Sequence, residues 1–200
     1  VDTELYNGTA WTEVNNLNSG RGLAVGAGTV NTAALLTSGR TASQAVYNET
    51  EIWNGTSWTE VNNLNTARYY SSGDGTSTAA ILAGGEPGSG ATADTETWNG
   101  TSWTEVNNLN TARAELTSMG TSAAAIAATG TTATAATVNA ETWNGTSWTE
   151  VNNVNTARTL LAGSGTSTSA IIFGGNPALA ITEAWDGTSW TEVADLAVGR

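Results

Sequence analysis

The chain has 200 residues and a formal net charge of −12, from 6 arginines and 18 acidic residues, and it contains no lysine, histidine or cysteine. Such a surface repels nucleic acid and anionic membranes, because phosphate binding needs clustered cations. Without histidine or cysteine, Ser-His-Asp triads and thiolate nucleophiles cannot be built, and the commonest metal ligands are absent. No apolar run approaches the length of a membrane-spanning helix. We therefore expect no membrane insertion, no metal and no cofactor.

One stretch recurs along the chain. Residues 98–113 read W-N-G-T-S-W-T-E-V-N-N-L-N-T-A-R, and the same letters stand at 53–68. Residues 143–158 differ from them at a single position, and looser copies lie at 6–21 and 185–200. The second aromatic residues of successive copies are separated by 47, 45, 45 and 42 residues. A fixed period of this size is typical of repeat architectures.

Each copy of the stretch predicts a β-hairpin. Asn-Gly is a strong hairpin signal, because a type I′ turn needs positive φ at both central residues. The flanking residues are rich in Thr, Trp and Val, which suit a pleated strand. Whether the loop holds two residues or four, Trp98 and Trp103 fall on the same face. We interpret residues 107–111 as a loop that leads to Arg113.

The copies divide the chain into one partial repeat and four complete ones. Residues 1–20 supply only two strands, around Asn7-Gly8. Each complete repeat has the same predicted order: a short strand, a turn, an apolar run, a connection and the hairpin. Residues 22–26 are the short strand of the first complete repeat, and residues 79–83 are the apolar run of the second. We expect one domain over residues 1–200 that is part of a longer polypeptide, with complete repeats at 21–67, 68–112, 113–157 and 158–200.

Four strands in every 42 to 47 residues predict an all-β fold of the β-propeller type. A propeller stacks four-stranded antiparallel sheets, its blades, around an axis. Here we expect four complete blades plus one half blade, or about five positions. The alanine-rich runs, such as 79–83, are predicted to form the strands closest to the axis. Both ends of the chain supply the third and fourth strands of a blade, so the two ends cannot complete each other.

The order of these residues resembles the kelch repeat. That family carries a double glycine after its second strand, two aromatic residues around the last turn, and an arginine near the start of the next blade. Near-identical tandem copies are also similar to repeats of bacterial and phage surface or tail proteins, which implies an extracellular or virion location. The matching residues are Gly84, Gly85, Trp98, Trp103 and Arg113, and again Gly174, Gly175, Trp185, Trp190 and Arg200; Ser38-Gly39 and Thr129-Gly130 depart from the double glycine.

The residues shared by the copies are predicted to be structural. Exposed tryptophans could stack on sugars, but a buried Trp removes roughly 150–250 Å² from water, which favours packing between blades. Each repeated arginine is expected to pair with a glutamate such as Glu51, Glu96 or Glu141 and with loop carbonyls. The predicted structural set comprises Trp11, Trp53, Trp58, Trp98, Trp103, Trp143, Trp148, Trp185, Trp190, Arg68, Arg113, Arg158, Gly84, Gly85, Gly174 and Gly175.

Any specificity is predicted to lie in the connections, because these differ between copies whereas the hairpins do not. The variable connections are 40–48, 86–94, 130–139 and 176–181, and the candidate ligand-binding residues in them are Arg40, Glu86, Asp94, Asn139 and Asn176. A weak calcium site near Asp74 or Glu86 is a further option, although the acidic spacings match no known calcium loop.

The sequence favours a non-catalytic binding or structural module that attaches to a protein or receptor. Several similar blades would give weak contacts that add up through avidity. The alternatives are a glycan-binding, lectin-like propeller and an enzyme that cleaves glycosides with a carboxylate pair. The expected partners are a protein or a cell-surface glycan, and assembly with other chains of a larger particle is a further possibility.

Overall fold

The computed structural model describes residues 2–200, and all regular structure in that range is β-strand. Its 18 strands form four four-stranded antiparallel sheets and one two-stranded sheet. The prediction of an all-β fold with four complete sheets and one half sheet is therefore confirmed. No helix in residues 2–200 is both long enough and apolar enough to cross a lipid bilayer.

The sheets follow one another in chain order, and in each of them every strand pairs with the next one. The two-stranded sheet, called the half sheet, consists of β1 (Thr3–Tyr6) and β2 (Trp11–Val14). Sheet 1 consists of β3 (Val25–Val30), β4 (Ala33–Thr37), β5 (Thr50–Trp53) and β6 (Trp58–Val61); sheet 2 of β7 (Ser72–Thr76), β8 (Ala79–Ala83), β9 (Thr95–Trp98) and β10 (Trp103–Val106); sheet 3 of β11 (Thr117–Thr121), β12 (Ala124–Ala128), β13 (Ala140–Trp143) and β14 (Trp148–Val151); and sheet 4 of β15 (Ala162–Thr166), β16 (Ser169–Phe173), β17 (Thr182–Trp185) and β18 (Trp190–Glu192).

The recurring stretch forms the hairpin of the third and fourth strands, and its loop holds four residues. Trp98 and Trp103 are directly opposed across the two strands. The loop is thus the four-residue alternative and not a type I′ turn, because Gly100 has a φ of 92° but Asn99 is not in the left-handed region. Instead, the Asn99 side-chain oxygen accepts hydrogen bonds from the amides of Thr101 and Ser102, both at 2.9 Å. The Asn side chain therefore closes the loop.

Neighbouring sheets approach most closely at their first strands, where β3 packs on β7, β7 on β11, and β11 on β15. Glycines allow this approach. A Cβ added at Gly73 would lie 3.1 Å from Val25 Cγ1, and one added at Gly163 would lie 2.7 Å from Met119 Sδ. The alanine-rich second strands were predicted to be innermost, and that was wrong: they lie between the first and third strands of their own sheets.

The predicted first strands also begin too early. Residues 22–26 were expected to form a strand, but β3 starts at Val25. The reason is local, because Leu23 has a φ of 56°, which no strand residue adopts. The equivalent residues Tyr70, Glu115 and Leu160 have φ values of 54°, 56° and 54°. A left-handed residue therefore precedes the first strand in every complete sheet.

One hydrophobic cluster fills each junction between complete sheets. In each, the tryptophan pair of one sheet packs against the second strand of the sheet before it: Trp98 and Trp103 lie with Leu35, Trp143 and Trp148 with Ile81 and Ala83, and Trp185 and Trp190 with Ile126 and Ala128. Within residues 2–200 no comparable packing joins β15 to β3. The described sheets thus form an open series.

Candidate binding face

The arginine that ends each copy of the recurring stretch pairs with a glutamate of the following sheet. Arg113 Nη2 donates to Glu141 Oε1 at 2.8 Å, and both side chains are fully buried. The backbone amide and the side-chain amide of Asn110 donate to Glu141 Oε2 at 2.7 and 2.8 Å. Arg113 also donates to the Asn139 carbonyl at 2.6 Å. A loop of one repeat thus holds the third strand of the next sheet, and we call this contact the Arg–Glu junction.

The Arg–Glu junction recurs along the chain. Burial lowers the pKa of Arg68 and of Arg113, and the attraction of the paired glutamate opposes that shift. The asparagine three residues before each arginine holds the second carboxylate oxygen in every case. The members are Arg21–Glu51 with Asn18 (3.0 Å between the ions), Arg68–Glu96 with Asn65 (3.0 Å), Arg113–Glu141 with Asn110 (2.8 Å) and Arg158–Glu183 with Asn155 (2.6 Å).

The paired tryptophans also contribute to the sheet junctions. The ring centroids of Trp98 and Trp103 are 5.5 Å apart. Trp98 Nε1 donates to the Ser77 carbonyl in its own sheet at 3.0 Å, and Trp103 Nε1 donates to Thr50 Oγ1 of the preceding sheet at 2.9 Å. The indoles are therefore held in the scaffold. The other pairs between sheets are Trp53 with Trp58, Trp143 with Trp148, and Trp185 with Trp190.

Trp11 departs from the structural role predicted for it. It packs on Tyr6 with a centroid distance of 5.2 Å. Trp11 is nevertheless 65% exposed and Tyr6 is 44% exposed, whereas Trp98 and Trp103 are 2% and 6% exposed. The half sheet therefore presents its aromatic pair to solvent.

Each double glycine is hydrogen-bonded to the backbone carbonyl of the arginine that ends the following copy of the recurring stretch. The Gly85 amide donates to the Arg113 carbonyl at 3.0 Å, and the Gly175 amide donates to the Arg200 carbonyl at 2.8 Å. All these glycines have positive φ, from 64° at Gly84 to 113° at Gly175. Ser38 and Thr129, which replace the first glycine in two sheets, adopt the same left-handed conformation at 62°.

The variable connections begin beside the residue that follows each repeated arginine. Gly22 bridges to Arg40, Tyr69 to Glu86, Ala114 to Thr131, and Thr159 to Asn176. The far ends of the connections lie against the scaffold instead. The Asp94 carbonyl accepts from the Gly84 amide at 2.9 Å, and the Asn139 carbonyl accepts from Arg113. Of the five candidate ligand-binding residues, Arg40, Glu86 and Asn176 therefore share one equivalent location.

The next residue in each sheet is the left-handed one, and these four residues line a single cavity of about 260 Å³: Leu23, Tyr70, Glu115 and Leu160. The Glu115 amide donates to the Tyr70 carbonyl at 2.8 Å, and the Leu160 amide donates to the Glu115 carbonyl at 3.0 Å. Leu23 is 43% exposed and Leu160 is 51% exposed. Left-handed conformations cost a non-glycine residue about 1–2 kcal/mol. The cavity and the starts of the connections form one surface, which we call the variable face.

A charged and aromatic group joins the connections of sheets 1 and 2 on the variable face. The Arg40 guanidinium lies 4.3 Å from the centroid of the Tyr69 ring, and Tyr69 packs on Tyr70 at 4.9 Å. Burial raises the pKa of Tyr69, and a hydrogen bond with Glu86 raises it further. Arg40 is held there by cation–π attraction.

The acidic residues considered for calcium have other contacts. Asp74 accepts from the Gly75 amide at 2.7 Å and from the Gly120 amide at 2.9 Å, so its carboxylate links β7 to β11. Glu86 lies beside Tyr69. Among residues 2–200, no three acidic residues stand together as ligands for a metal ion.

No model of a known protein family matches the chain, and no curated protein matches it either. Sequence reasoning missed the junction asparagines and the left-handed residues. A signal for Asn110 was present, because an asparagine stands three residues before the arginine in every copy but the last, which has Ala197 there. The left-handed residues are two leucines, a tyrosine and a glutamate, Leu23, Leu160, Tyr70 and Glu115. No one residue type marks the position, so only the backbone conformation identifies it.

Proposed function

We propose that the chain is a kelch-like β-propeller module that binds a protein partner through the variable face and has no catalytic role. The observation that carries the proposal is the single cavity lined by Leu23, Tyr70, Glu115 and Leu160. These residues occupy equivalent positions, have no single residue type common to all four copies, and include two exposed leucines. The proposed setting is a virion or cell surface, because near-identical tandem copies are similar to repeats of such proteins.

Two observations support the propeller arrangement. The first strands pack in series from β3 to β15. Residues of sheet 1 and of sheet 4, Leu23 and Leu160, line the same cavity. A series of sheets that curves around an axis accounts for both observations, because the first strands then face that axis.

The shared carboxylates support a non-catalytic role. Glu51, Glu96, Glu141 and Glu183 are at most 1% exposed, and each is paired with an arginine. A glycosidase needs two carboxylates that reach the sugar. The repeated acids are held inside the scaffold, whereas the differences between copies gather on one exposed surface. That distribution favours binding by a rigid framework with adaptable loops.

The test measures binding of the purified chain to an array of cell-surface protein ectodomains, alongside a glycan array and a panel of polysaccharides. We expect selective binding to a protein. In the variant Leu160→Gly this binding should fall by at least about tenfold, the equivalent of about 1.4 kcal/mol. Glycine suits the left-handed φ of 54°, so the variant removes the exposed side chain without unfolding the sheet.

Glu105→Gln is the matched control, since Glu105 is exposed on β10, a fourth strand. It should bind as the unchanged protein does. Binding to sugars and to no protein would mean that the partner is a glycan and not a protein. Hydrolysis of a polysaccharide that a single Glu→Gln change abolishes would overturn the proposal.

A further inference from the structure

The cavity of the variable face contains one carboxylate among apolar and aromatic residues. Glu115 lines it together with Leu23, Tyr70 and Leu160, the residues at the equivalent positions. No ion pair within residues 2–200 includes Glu115, and the residue is only partly buried. The four repeated arginines are paired with buried glutamates instead, and Arg40 lies on the Tyr69 ring. Glu115 therefore has no charge partner among the described residues.

Glu115 belongs to the interior of the described series of sheets. It precedes β11 of sheet 3, and β11 packs on β7 of sheet 2 and on β15 of sheet 4. Its amide donates to the Tyr70 carbonyl, and its carbonyl accepts from the Leu160 amide. Both neighbouring sheets thus fix the backbone of Glu115, and the contacts that do so lie within residues 2–200.

The surroundings of Glu115 restrict what can cover the cavity. A partner that binds there removes the carboxylate from water, and a carboxylate that gains no hydrogen bond or cation in return is strongly destabilising. The same apolar surroundings strengthen the attraction to a cation, because the local dielectric constant is low. The cavity therefore favours a partner group that combines a positive charge with an apolar stem.

An arginine side chain has both parts. Its alkyl stem packs on apolar groups, and its planar guanidinium bonds to a carboxylate and stacks on aromatic rings. The variable face already holds one arginine in this way, since Arg40 Cζ lies 4.3 Å from the centroid of the Tyr69 ring and 6.0 Å from that of Tyr70. The cavity measures about 260 Å³, below the roughly 300–1,000 Å³ of small-molecule pockets. Its size thus suits one side chain and not a whole small ligand.

We propose that the partner of the variable face is a protein that inserts an arginine side chain into the cavity. The guanidinium pairs with Glu115 and stacks on Tyr70, and the stem packs against Leu23 and Leu160. This inference rests on the proposed function, whose binding surface it uses, and it adds the chemistry of the partner. The net charge of −12 agrees with it, because an acidic protein attracts a basic partner over a distance and so associates faster.

The experiment titrates the protein with the blocked tripeptide acetyl-Leu-Arg-Leu-amide and follows the amide signals of Leu23, Tyr70, Glu115 and Leu160 by NMR. A second peptide carries citrulline, which has nearly the same shape as arginine but no charge. The arginine peptide should shift the four signals. The citrulline peptide should bind at least roughly tenfold more weakly, because it leaves Glu115 without a cation. Added sodium chloride should weaken the arginine peptide much more than the citrulline peptide.

Glu115→Gln keeps the length of the side chain and the backbone bonds, and it should abolish the preference for arginine over citrulline. Glu105→Gln is the matched control, since it removes the same charge from an exposed residue of β10; it should keep the preference. Equal binding of the two peptides, no shift of the four signals, or a preference that survives Glu115→Gln would overturn the inference.

The protein array separates this inference from the proposed function. An ectodomain that binds the unchanged chain should bind Glu115→Gln at least roughly tenfold more weakly. An ectodomain that loses affinity in Leu160→Gly but binds Glu115→Gln as well as the unchanged chain would contradict the inserted arginine. The variable face would then remain the binding surface, and the proposed function would stand.

Discussion

A single difference between copies, alanine in place of threonine, leaves one tryptophan without its hydrogen bond. Trp103 and Trp148 donate to Thr50 and Thr95 of the preceding sheet at 2.9 and 3.0 Å. Ala140 stands in the corresponding position for Trp190, whose buried Nε1 has no partner among the described residues. An unsatisfied buried donor costs roughly 1–3 kcal/mol.

The variant Ala140→Thr should therefore stabilise the protein. The new hydroxyl meets the Trp190 Nε1 as Thr95 meets Trp148, and the cross-strand neighbour is alanine in both sheets. We expect the free energy of unfolding to rise by about 1 kcal/mol, measured by urea denaturation. Thr95→Ala is the reverse control and should lower it by a similar amount. A loss of stability in Ala140→Thr would mean that the site has no room for the hydroxyl.

At the residue scale, the sequence predicts which side chains recur but not what they contact. Trp98 and Trp103 follow from hairpin register alone, and they are indeed opposed. The acceptor of Trp103, Thr50, lies 53 residues earlier. It could be found only once the stacking of one repeat on the next was known. The left-handed Leu23 is harder still, because leucine gives no sign of positive φ.

At the scale of the element, the Arg–Glu junction explains why the loop after each hairpin is so constant. Asn107 donates to the Thr146 carbonyl in the next hairpin loop at 2.9 Å, and Asn110 and Arg113 hold Glu141. Both asparagines are replaced in the last copy, by Ala194 and Ala197. The constant residues therefore serve the contact with a following sheet of the same kind, and the last copy is altered where that contact would form.

Removing the buried cation should be among the most damaging single changes. In Arg113→Ala, Glu141 remains buried without its charge partner, and breaking such a pair costs roughly 3–5 kcal/mol. Asn110→Ala removes hydrogen bonds to the same carboxylate and should cost about 1–3 kcal/mol. The comparison is Arg40→Ala, which loses a contact with Tyr69 worth about 0.5–1 kcal/mol. The melting temperature should fall most in Arg113→Ala, less in Asn110→Ala and least in Arg40→Ala. Unchanged stability of Arg113→Ala together with lost ligand binding would contradict a structural role.

At the scale of the whole molecule, the order and number of the sheets were predictable, because a period near 45 residues with four strands leaves few alternatives. Whether the sheets close into a ring was not predictable from the sequence. Ring closure depends on the angle between neighbouring sheets, which arises from contacts such as that of Gly163 with Met119. A local pattern of strands and turns contains no information on that angle.

The three hydrophobic clusters also predict the order in which the sheets unfold. None of them includes a residue of the half sheet. The half sheet contacts sheet 1 mainly through polar groups, such as Trp58 Nε1 on Thr3 Oγ1 at 3.2 Å and Asn15 on the Thr56 carbonyl at 3.0 Å. In repeat proteins, stability is a sum over units and their nearest-neighbour interfaces. The half sheet has one interface and two strands, whereas sheet 3 has an interface on each side.

Native-state hydrogen exchange can test this at equivalent amides, because Leu5 and Thr142 bond to their hairpin partners Thr12 and Thr149 in the same register. Leu5 should exchange by local opening, at least roughly a hundredfold faster than Thr142, which exchanges only when the central sheets unfold. Added urea should accelerate Thr142 strongly and Leu5 weakly, because little surface is exposed when the half sheet opens. Equal rates and equal urea dependence at the two amides would mean that all five sheets unfold together, and that the polar contacts of Thr3 and Asn15 couple the half sheet as tightly as a hydrophobic junction does.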